Sequence, residues 1–545
     1  MSINTALCQL NFTTGDIEGN YNKIFNYFQK YSQTSDLIIF PELALTGYDA
    51  QDLFYKNHFI KACEDKIIQL SQATEGQNCQ IILGAPHLII DKNHQRRLFN
   101  AAFILADGEV KNIIHKNGLP NYGVFDEKRY FTAGQIMGCI KVKDQKFGVL
   151  ICEDLWKKEN IFLLQEMNID GVIAINASPF HAKKQQQRTE VAQYAAKNLQ
   201  KPVIYLNQIG GQDSLVFDGG SFILGSDGER LLQMNFFEED VKNFSLDDKL
   251  SKHKLQNLQT ENENIYQAMI LGLRDYVHKT AFEEVLIGMS GGIDSALVAT
   301  IAVDAFGSEN VSLVALPSKF NSELSFQDAK NCANNLGIKL EVISIEPMFQ
   351  QMKSSLSDIF VGFKEDKTEE NIQSRIRGNI LMAISNKFNQ LLLTTGNKSE
   401  IAVGYATIYG DMCGAFNPIK DLYKTQVSTL AKWRNKNIPK ISIYKKTALI
   451  PSSIITKEPS AELSLNQKDS DSLPEYDILD QILFLLIEKE LSIEEVIEEG
   501  FAKELVTKIT KLLHSNEFKR KQAALGPILS PMSFDLERRY PICYK

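Results

Sequence analysis

Short apolar runs alternate along this chain with stretches in which apolar residues recur every third or fourth position. Runs at 37–40, 81–84, 147–151, 171–175 and 203–206 have the length and β-branched content of buried strands. Helical spacing predicts helices at 22–31 and 60–74. A closing strand at 219–224 leads into the turn Ser226-Asp227-Gly228 and a hairpin. From 238 to 262 the pattern dissolves into charged and amide residues, which predicts a connection between domains. The expected division is 1–240, a connecting segment at 241–262, and 263–545.

The second half repeats the alternation with a different spacing. A strand at 284–288, a helix at 293–306, a strand at 311–316, a helix at 325–336 and a strand at 339–345 succeed one another. Such βαβ units predict an α/β domain with a parallel, Rossmann-like sheet, and place its ligand at the carboxyl ends of the strands. Residues 475–515 read as helical. Neither repeats nor low-complexity tracts interrupt the 545 residues, enough for two or more domains.

One stretch carries chemistry outright. Gly288, Met289, Ser290, Gly291, Gly292, Ile293, Asp294 and Ser295 follow an apolar run and open a helical pattern. A strand, a glycine-rich turn and a helix N-terminus aim backbone N–H groups and the helix dipole at one spot, which favours phosphate. No Gly-Lys-Ser/Thr ending follows, so this is not a Walker loop. Composition adds exclusions. A net charge of −8 argues against general nucleic-acid or anionic-membrane binding, and no apolar stretch approaches the ~20 residues of a bilayer span. Eight scattered cysteines and the absence of a basic, apolar N-terminal leader predict a cytoplasmic protein without a disulfide framework or zinc site.

Three residues of the first half stand out together: Glu42 just past a strand, Lys116 in a loop, and Cys152 at the end of an apolar run. Singly, each has a bland explanation as a small core residue or a solvated charge. Together they supply a thiol nucleophile, a carboxylate base and an ammonium to stabilise an oxyanion, an amide-cleaving set that needs no histidine. Their spacing and local wording resemble the carbon–nitrogen hydrolase (nitrilase) superfamily over most of 3–235. The resemblance implies an α-β-β-α sandwich, with Cys152 as nucleophile, Glu42 as base, Lys116 supporting the intermediate and Glu127 as a further carboxylate. In relatives that use glutamine, Tyr122, Ser178 and Lys184 occupy positions that bind it.

The wording SGGxDS resembles the pyrophosphate loop of enzymes of the adenine-nucleotide α-hydrolase type, which split ATP into AMP and pyrophosphate. Both halves on one chain resemble the glutamine-dependent NAD synthetase family. That resemblance implies ATP-dependent adenylation of deamido-NAD, followed by displacement of AMP by ammonia from glutamine. It places ATP at residues 288–295, Thr395, Lys424 and Ser460, and Mg²⁺ at Asp294 and Glu400. It places deamido-NAD at Asn371, Arg375, Glu400 and Lys519, and it implies a homo-oligomer. Asn371 and Arg375 lie one turn apart, opposite the stripe Ile372, Ile376, Ile380 and Ile384. Two other readings stand beside it: another glutamine-fed ligase with the same loop, or an amidase with a nucleotide-sensing module. Rival glutamine-fed ligases use an N-terminal cysteine or a Cys-His-Glu triad. Residue 2 here is serine, and no matching histidine segment is evident.

Overall fold

Two six-stranded sheets make the first unit. One runs in the order Asp240–Leu246, Ile3–Gln9, Leu37–Ile39, Gln80–Ile90, Arg96–Ala106 and Glu109–His115. The other runs Arg230–Gln233, Phe222–Leu224, Val203–Asn207, Gly171–Asn176, Gln145–Ile151 and Gly138–Val142. Their inner faces share one core. Ile3, Leu7, Ile39 and Ile104 from the first sheet meet Val149, Ile173, Ile204 and Ile223 from the second. On the outer face of the second sheet, Val172, Ala174 and Tyr205 pack against Ala192, Ala195 and Ala196 of the helix Lys184–Leu199. The helix Asn57–Ala73 packs on the first sheet and Ile17–Tyr31 packs against that helix. The architecture is the α-β-β-α sandwich that the sequence led us to expect.

The computed structural model describes residues 3–246, 259–460, 462–464, 469–471 and 473–543, and falls into the units Met1–Gln259 and Thr260–Lys545. Regular elements enter the expected connection at 241–262 from both sides. Asp240–Leu246 is an edge strand, antiparallel to Ile3–Gln9, and the helix Glu261–Lys279 already includes 261 and 262. An edge strand faces solvent and needs little apolar surface. Among its described side chains Phe244 is the one buried hydrophobe, so its sequence looks like a linker. Residues 247–258 lie outside the described residues.

The second unit holds a parallel sheet in the order Leu340–Val342, Val311–Ala315, Val285–Gly288, Leu391–Leu393. In the helix Ile293–Phe306 every residue but Asp294 is buried, which explains its nearly unbroken apolar sequence. The opposite sheet face packs Leu286, Val314 and Leu392 against Ile372 and Ile376 of the helix Lys367–Phe388. Strand order reverses beside Val285–Gly288, because the chain first builds outward and later returns to its other side. Ligands of such sheets bind outside the carboxyl ends at this reversal. The region read as helical at 475–515 forms three helices, Tyr476–Ile487, Ile493–Glu498 and Lys503–Ser515. Among the described residues no helix is long and apolar enough to cross a membrane.

Candidate functional site

Glu42 leaves the strand Leu37–Ile39 into a turn that packs directly on Gly84. A Cβ there would stand 2.3 Å from the Pro41 carbonyl oxygen and 2.4 Å from Leu43 N, so only glycine lets the turn sit this close. The Glu42 carboxylate is fully buried and satisfied from both sheets. Its Oε1 accepts from Lys116 Nζ and Asn100 Nδ2, both at 2.7 Å, and its Oε2 accepts from the Ala177 amide at 2.8 Å. Lys116 Nζ also donates to Glu127 Oε1 at 2.7 Å, and Tyr48 OH donates to the same oxygen at 3.0 Å.

Two buried carboxylates therefore share one buried ammonium. Burial works against the charge on Lys116, but Glu127 and Glu42 outweigh it and hold the amine protonated well above its ordinary range. One negative charge is left over. Burial pushes Glu127 up to about 7 against the pull of Lys116, with the Glu42 charge adding to the rise. Oε2 of Glu127 is buried without a protein partner.

Cys152 follows the strand Gln145–Ile151 at a φ of +47°, a left-handed conformation that non-glycine residues adopt at a cost. Its thiol is buried and feels the charges of Glu42, Lys116, Glu127 and Glu153. Burial foremost raises it well above the usual thiol range, so it rests protonated. Asp154 fixes the geometry. Its Oδ2 accepts from the Ile151 amide at 3.2 Å, and its Oδ1 accepts from the amides of Asn117 at 3.0 Å and Gly118 at 2.6 Å. One carboxylate thus ties the turn that carries the thiol to the loop that carries Lys116.

Of the three residues expected to hold glutamine, Tyr122 and Lys184 lie within electrostatic reach of this thiol. Tyr122 is exposed and its OH donates to Glu153 Oε2 at 2.9 Å. Lys184 stands 4.5 Å from the Trp156 ring, and burial, with help from Arg188, lowers it to about 8. Ser178 is buried, and its Oγ accepts from Arg188 Nε at 3.1 Å. Arg188 itself is fully buried and paired with Asp218 at 2.6 Å, so it props up the Ser178 turn.

In the second unit, Ser290, Gly292, Ile293, Asp294, Ser295, Thr395, Glu400, Lys424 and Ser460 all line one pocket. Gly288 and Met289 line a neighbouring pocket with Leu316 and Arg377. The two glycines of the turn differ in their reasons. Gly291 has a φ of +82°, and a Cβ there would lie 2.1 Å from the Ser325 carbonyl oxygen, so it is required by packing on the helix Glu323–Leu336. Gly292 faces the pocket and has the room. The Met289 amide donates to the Val314 carbonyl at 2.8 Å and belongs to the sheet frame. Ser295 Oγ accepts from Ser290 N at 3.3 Å and donates to the Gly292 carbonyl at 3.0 Å, which stiffens the turn.

Lys424 Nζ bridges Asp294 Oδ2 and, at 3.1 Å, Glu400 Oε1. Asn397 Nδ2 donates to Asp294 Oδ1 at 3.0 Å, while its Oδ1 caps the helix Lys398–Val403 by accepting from the Glu400 amide at 3.0 Å. Burial raises Glu400 to about 7 against Lys424, and Asp294 and Asp469 add to the rise. The two carboxylates on one ammonium leave a surplus of negative charge that suits a further cation. Among the described residues no cluster of three or more candidate metal ligands gathers. A Mg²⁺ ion held by one or two carboxylates and by phosphate oxygens needs no such cage, and the pair Asp294 and Glu400 fits it.

The remaining expected residues frame this pocket from outside its lining. Asn371 Oδ1 accepts from Thr407 Oγ1 at 2.9 Å, and Arg375 Nε donates to the Ile408 carbonyl at 3.3 Å. Lys519 Nζ donates to the carbonyls of Gly404 and Ala406, both at 2.8 Å. All three grip the segment 404–408.

Residues 265–523 match the NAD synthase family model and residues 4–251 match the carbon-nitrogen hydrolase model. The glutamine-dependent NAD(+) synthetase of Acinetobacter baylyi is 41% identical over 546 residues, covering 99% of this chain and 98% of that protein. The chain belongs to the glutamine-dependent NAD(+) synthetase family. The family's activity is the ATP-dependent amidation of deamido-NAD. The synthetase of the same name from Aquifex aeolicus is 41% identical over 578 residues, covering 100% of this chain and 99% of its own. A solved structure of the family, the Acinetobacter baumannii synthetase in complex with adenosine diphosphate, is similar at 39% identity and a TM-score of 0.79. It covers 99% of this chain and 98% of that one.

Within this family frame, sequence reasoning passed over Asn100, Tyr48, Asp154, Arg188 and Asn397. Asp154 stands two residues after the thiol and Asn397 three before Glu400, an N-cap spacing that was legible. Asn100 reaches its site from a strand, Tyr48 from a loop and Arg188 from a helix, and no local signal marks them.

Proposed function

We propose that the chain makes NAD from deamido-NAD, with nitrogen released from glutamine in the first unit, Met1–Gln259, and joined in the second, Thr260–Lys545. The observation that carries this reading is one chain holding both a buried Glu42–Lys116–Cys152 set and a pyrophosphate-type turn facing Asp294, Lys424 and Glu400.

In the first unit, Cys152 Sγ attacks the side-chain amide carbon of glutamine as Glu42 accepts the thiol proton. Lys116 stabilises the oxyanion of the tetrahedral intermediate. Glu42 returns the proton to nitrogen, the C–N bond breaks, and ammonia leaves a thioester on Cys152. Water, deprotonated by Glu42, then releases glutamate and restores the thiol. Glu127 Oε2, with no partner of its own, offers a hydrogen-bonding position to the leaving nitrogen or the incoming water. Lys184 and Tyr122 bind the amino-acid head of glutamine, and Ser178 shapes the turn beneath it.

In the second unit, the N–H groups of Ile293, Asp294 and Ser295 open a helix of 14 residues and have no intrahelical acceptor, so they are available to phosphate. Lys424, Thr395 and Ser460 complete the ATP site. Asn371, Arg375 and Lys519 hold the 404–408 segment against deamido-NAD. Asp294 and Glu400 would hold Mg²⁺, which offsets phosphate charge when bound. The nicotinate carboxylate attacks the α-phosphorus of ATP, pyrophosphate departs, and ammonia displaces AMP from the acyl adenylate to give the amide. The test is an assay of the full chain with ATP, Mg²⁺ and deamido-NAD, supplied with either glutamine or ammonium. NAD and AMP should form in equal amounts; AMP without NAD, or neither, overturns the reading.

A further inference from the structure

One wall of the nucleotide pocket is a strap that includes Lys457, Ser460, Glu462 and Leu463. A single carboxylate fastens it. Glu462 Oε1 accepts from Ser322 Oγ at 3.0 Å, from Lys457 Nζ at 3.1 Å and from Ser325 Oγ; its Oε2 accepts from Asn321 Nδ2 at 3.2 Å and from the Ser322 amide at 3.4 Å. Two further bonds index the strap: the Glu462 amide donates to Ser460 Oγ at 3.2 Å, and Gln373 Nε2 donates to the Leu463 carbonyl at 3.0 Å. The receiving end is the N-terminal turn of Glu323–Leu336, the same turn whose Ser325 carbonyl abuts Gly291. Glu462 therefore connects the strap to the element that backs the phosphate turn.

We propose that Glu462 is a positioning residue, a latch that holds the strap against the Ser322–Ser325 turn and so places Lys457 and Ser460 along the bound triphosphate. Lys457 would be a further contact to the phosphates, since its ammonium is oriented by Glu462 and lines the pocket. The inference rests on the proposed ATP site. Charge explains why a glutamate does this. A carboxylate with four kinds of donor converging on it, one of them an ammonium, gains charge-assisted bonds that an amide would only half reproduce. In Glu462→Gln, the oxygen can still serve Ser322, Ser325 and Lys457, while the new NH₂ faces two other donors, Asn321 Nδ2 and the Ser322 amide.

The test uses the full chain and two readouts. In ammonia-supported synthesis, Glu462→Ala should raise KM for ATP roughly ten- to a hundredfold, the loss expected for charge-assisted bonds. It should lower kcat by less than about threefold, because uniform binding is lost rather than transition-state stabilisation. Glu462→Gln should fall between Ala and the parent. Without nucleotide, trypsin should cut after Lys457 faster in both variants than in the parent, the cut being located by mass. A fall in kcat at unchanged KM, in step with a lower Tm, would mean a merely structural role and overturns the latch. Equal tryptic rates in parent and Glu462→Gln overturn it too, even if Glu462→Ala does not fold. Should the parent chain release no AMP, the proposed function fails, while the tryptic comparison still decides the latch.

Discussion

The Lys116 ammonium stands 2.7 Å from the Glu42 carboxylate, and no part of either side chain reaches solvent. A lone buried charge would cost several kcal/mol, so the Glu42 carboxylate depends on the Lys116 ammonium, which Glu127 also holds at 2.7 Å. Replacing Lys116 by Met keeps the volume and removes the cation. The variant should lose about 3–5 kcal/mol of stability for the broken pair. Glutamine hydrolysis should fall on the order of a hundredfold or more through loss of oxyanion stabilisation. A hydrolysis rate within a few-fold of the parent would remove Lys116 from that role.

Cys152→Ala separates the two reactions. Glutamine-supported NAD formation should vanish, while ammonia-supported formation should persist near the parent rate. NAD measured with each nitrogen source decides the point, and joint loss of both activities would refute the division of labour.

Asp294→Asn is nearly isosteric and leaves the amide contact with Asn397 possible. It deprives Lys424 of one of two carboxylates and removes one of two candidate Mg²⁺ ligands. Synthesis from either nitrogen source should drop on the order of a hundredfold, the usual size of a lost electrostatic contact at a reacting phosphate. Glutamate release measured without ATP should continue. Full synthesis in this variant would contradict the assigned site.

Lys184 supplies a pH dependence. Burial lowers it to about 8, so the ammonium is present below that pH and lost above it. If it binds the glutamine carboxylate, KM for glutamine should climb above pH 8 while kcat changes less. Lys184→Arg stays charged throughout and should flatten that alkaline limb. A limb of unchanged position in the arginine variant would assign it to another group.

The sequence revealed most where burial is two-sided. Strands such as Gly171–Asn176 and Val203–Asn207 are apolar at nearly every position, and the helix Ile293–Phe306 is apolar all round; both patterns survive reading in isolation. Edge and rim elements were opaque. Asp240–Leu246 alternates charges with one inward phenylalanine, and Arg96–Ala106 begins with two exposed arginines before its buried run. The site divided in the same way. Glu42, Lys116 and Cys152 announced themselves through local wording. Asn100, Tyr48 and Arg188 act from 58, 79 and 10 positions away in sequence, where only folding shows the meeting. Gly291 was legible as a glycine of the phosphate turn, but the helix that demands it lies some thirty residues on.

The grip on Glu42 comes from Asn100 in one layer and Ala177 at the end of a strand in the other. The reacting centre is therefore also a rivet through the sandwich. Grafting the thiol, base and ammonium onto a single-layered scaffold would import the chemistry without its clamp, and neither layer can drift in spacing without the other following.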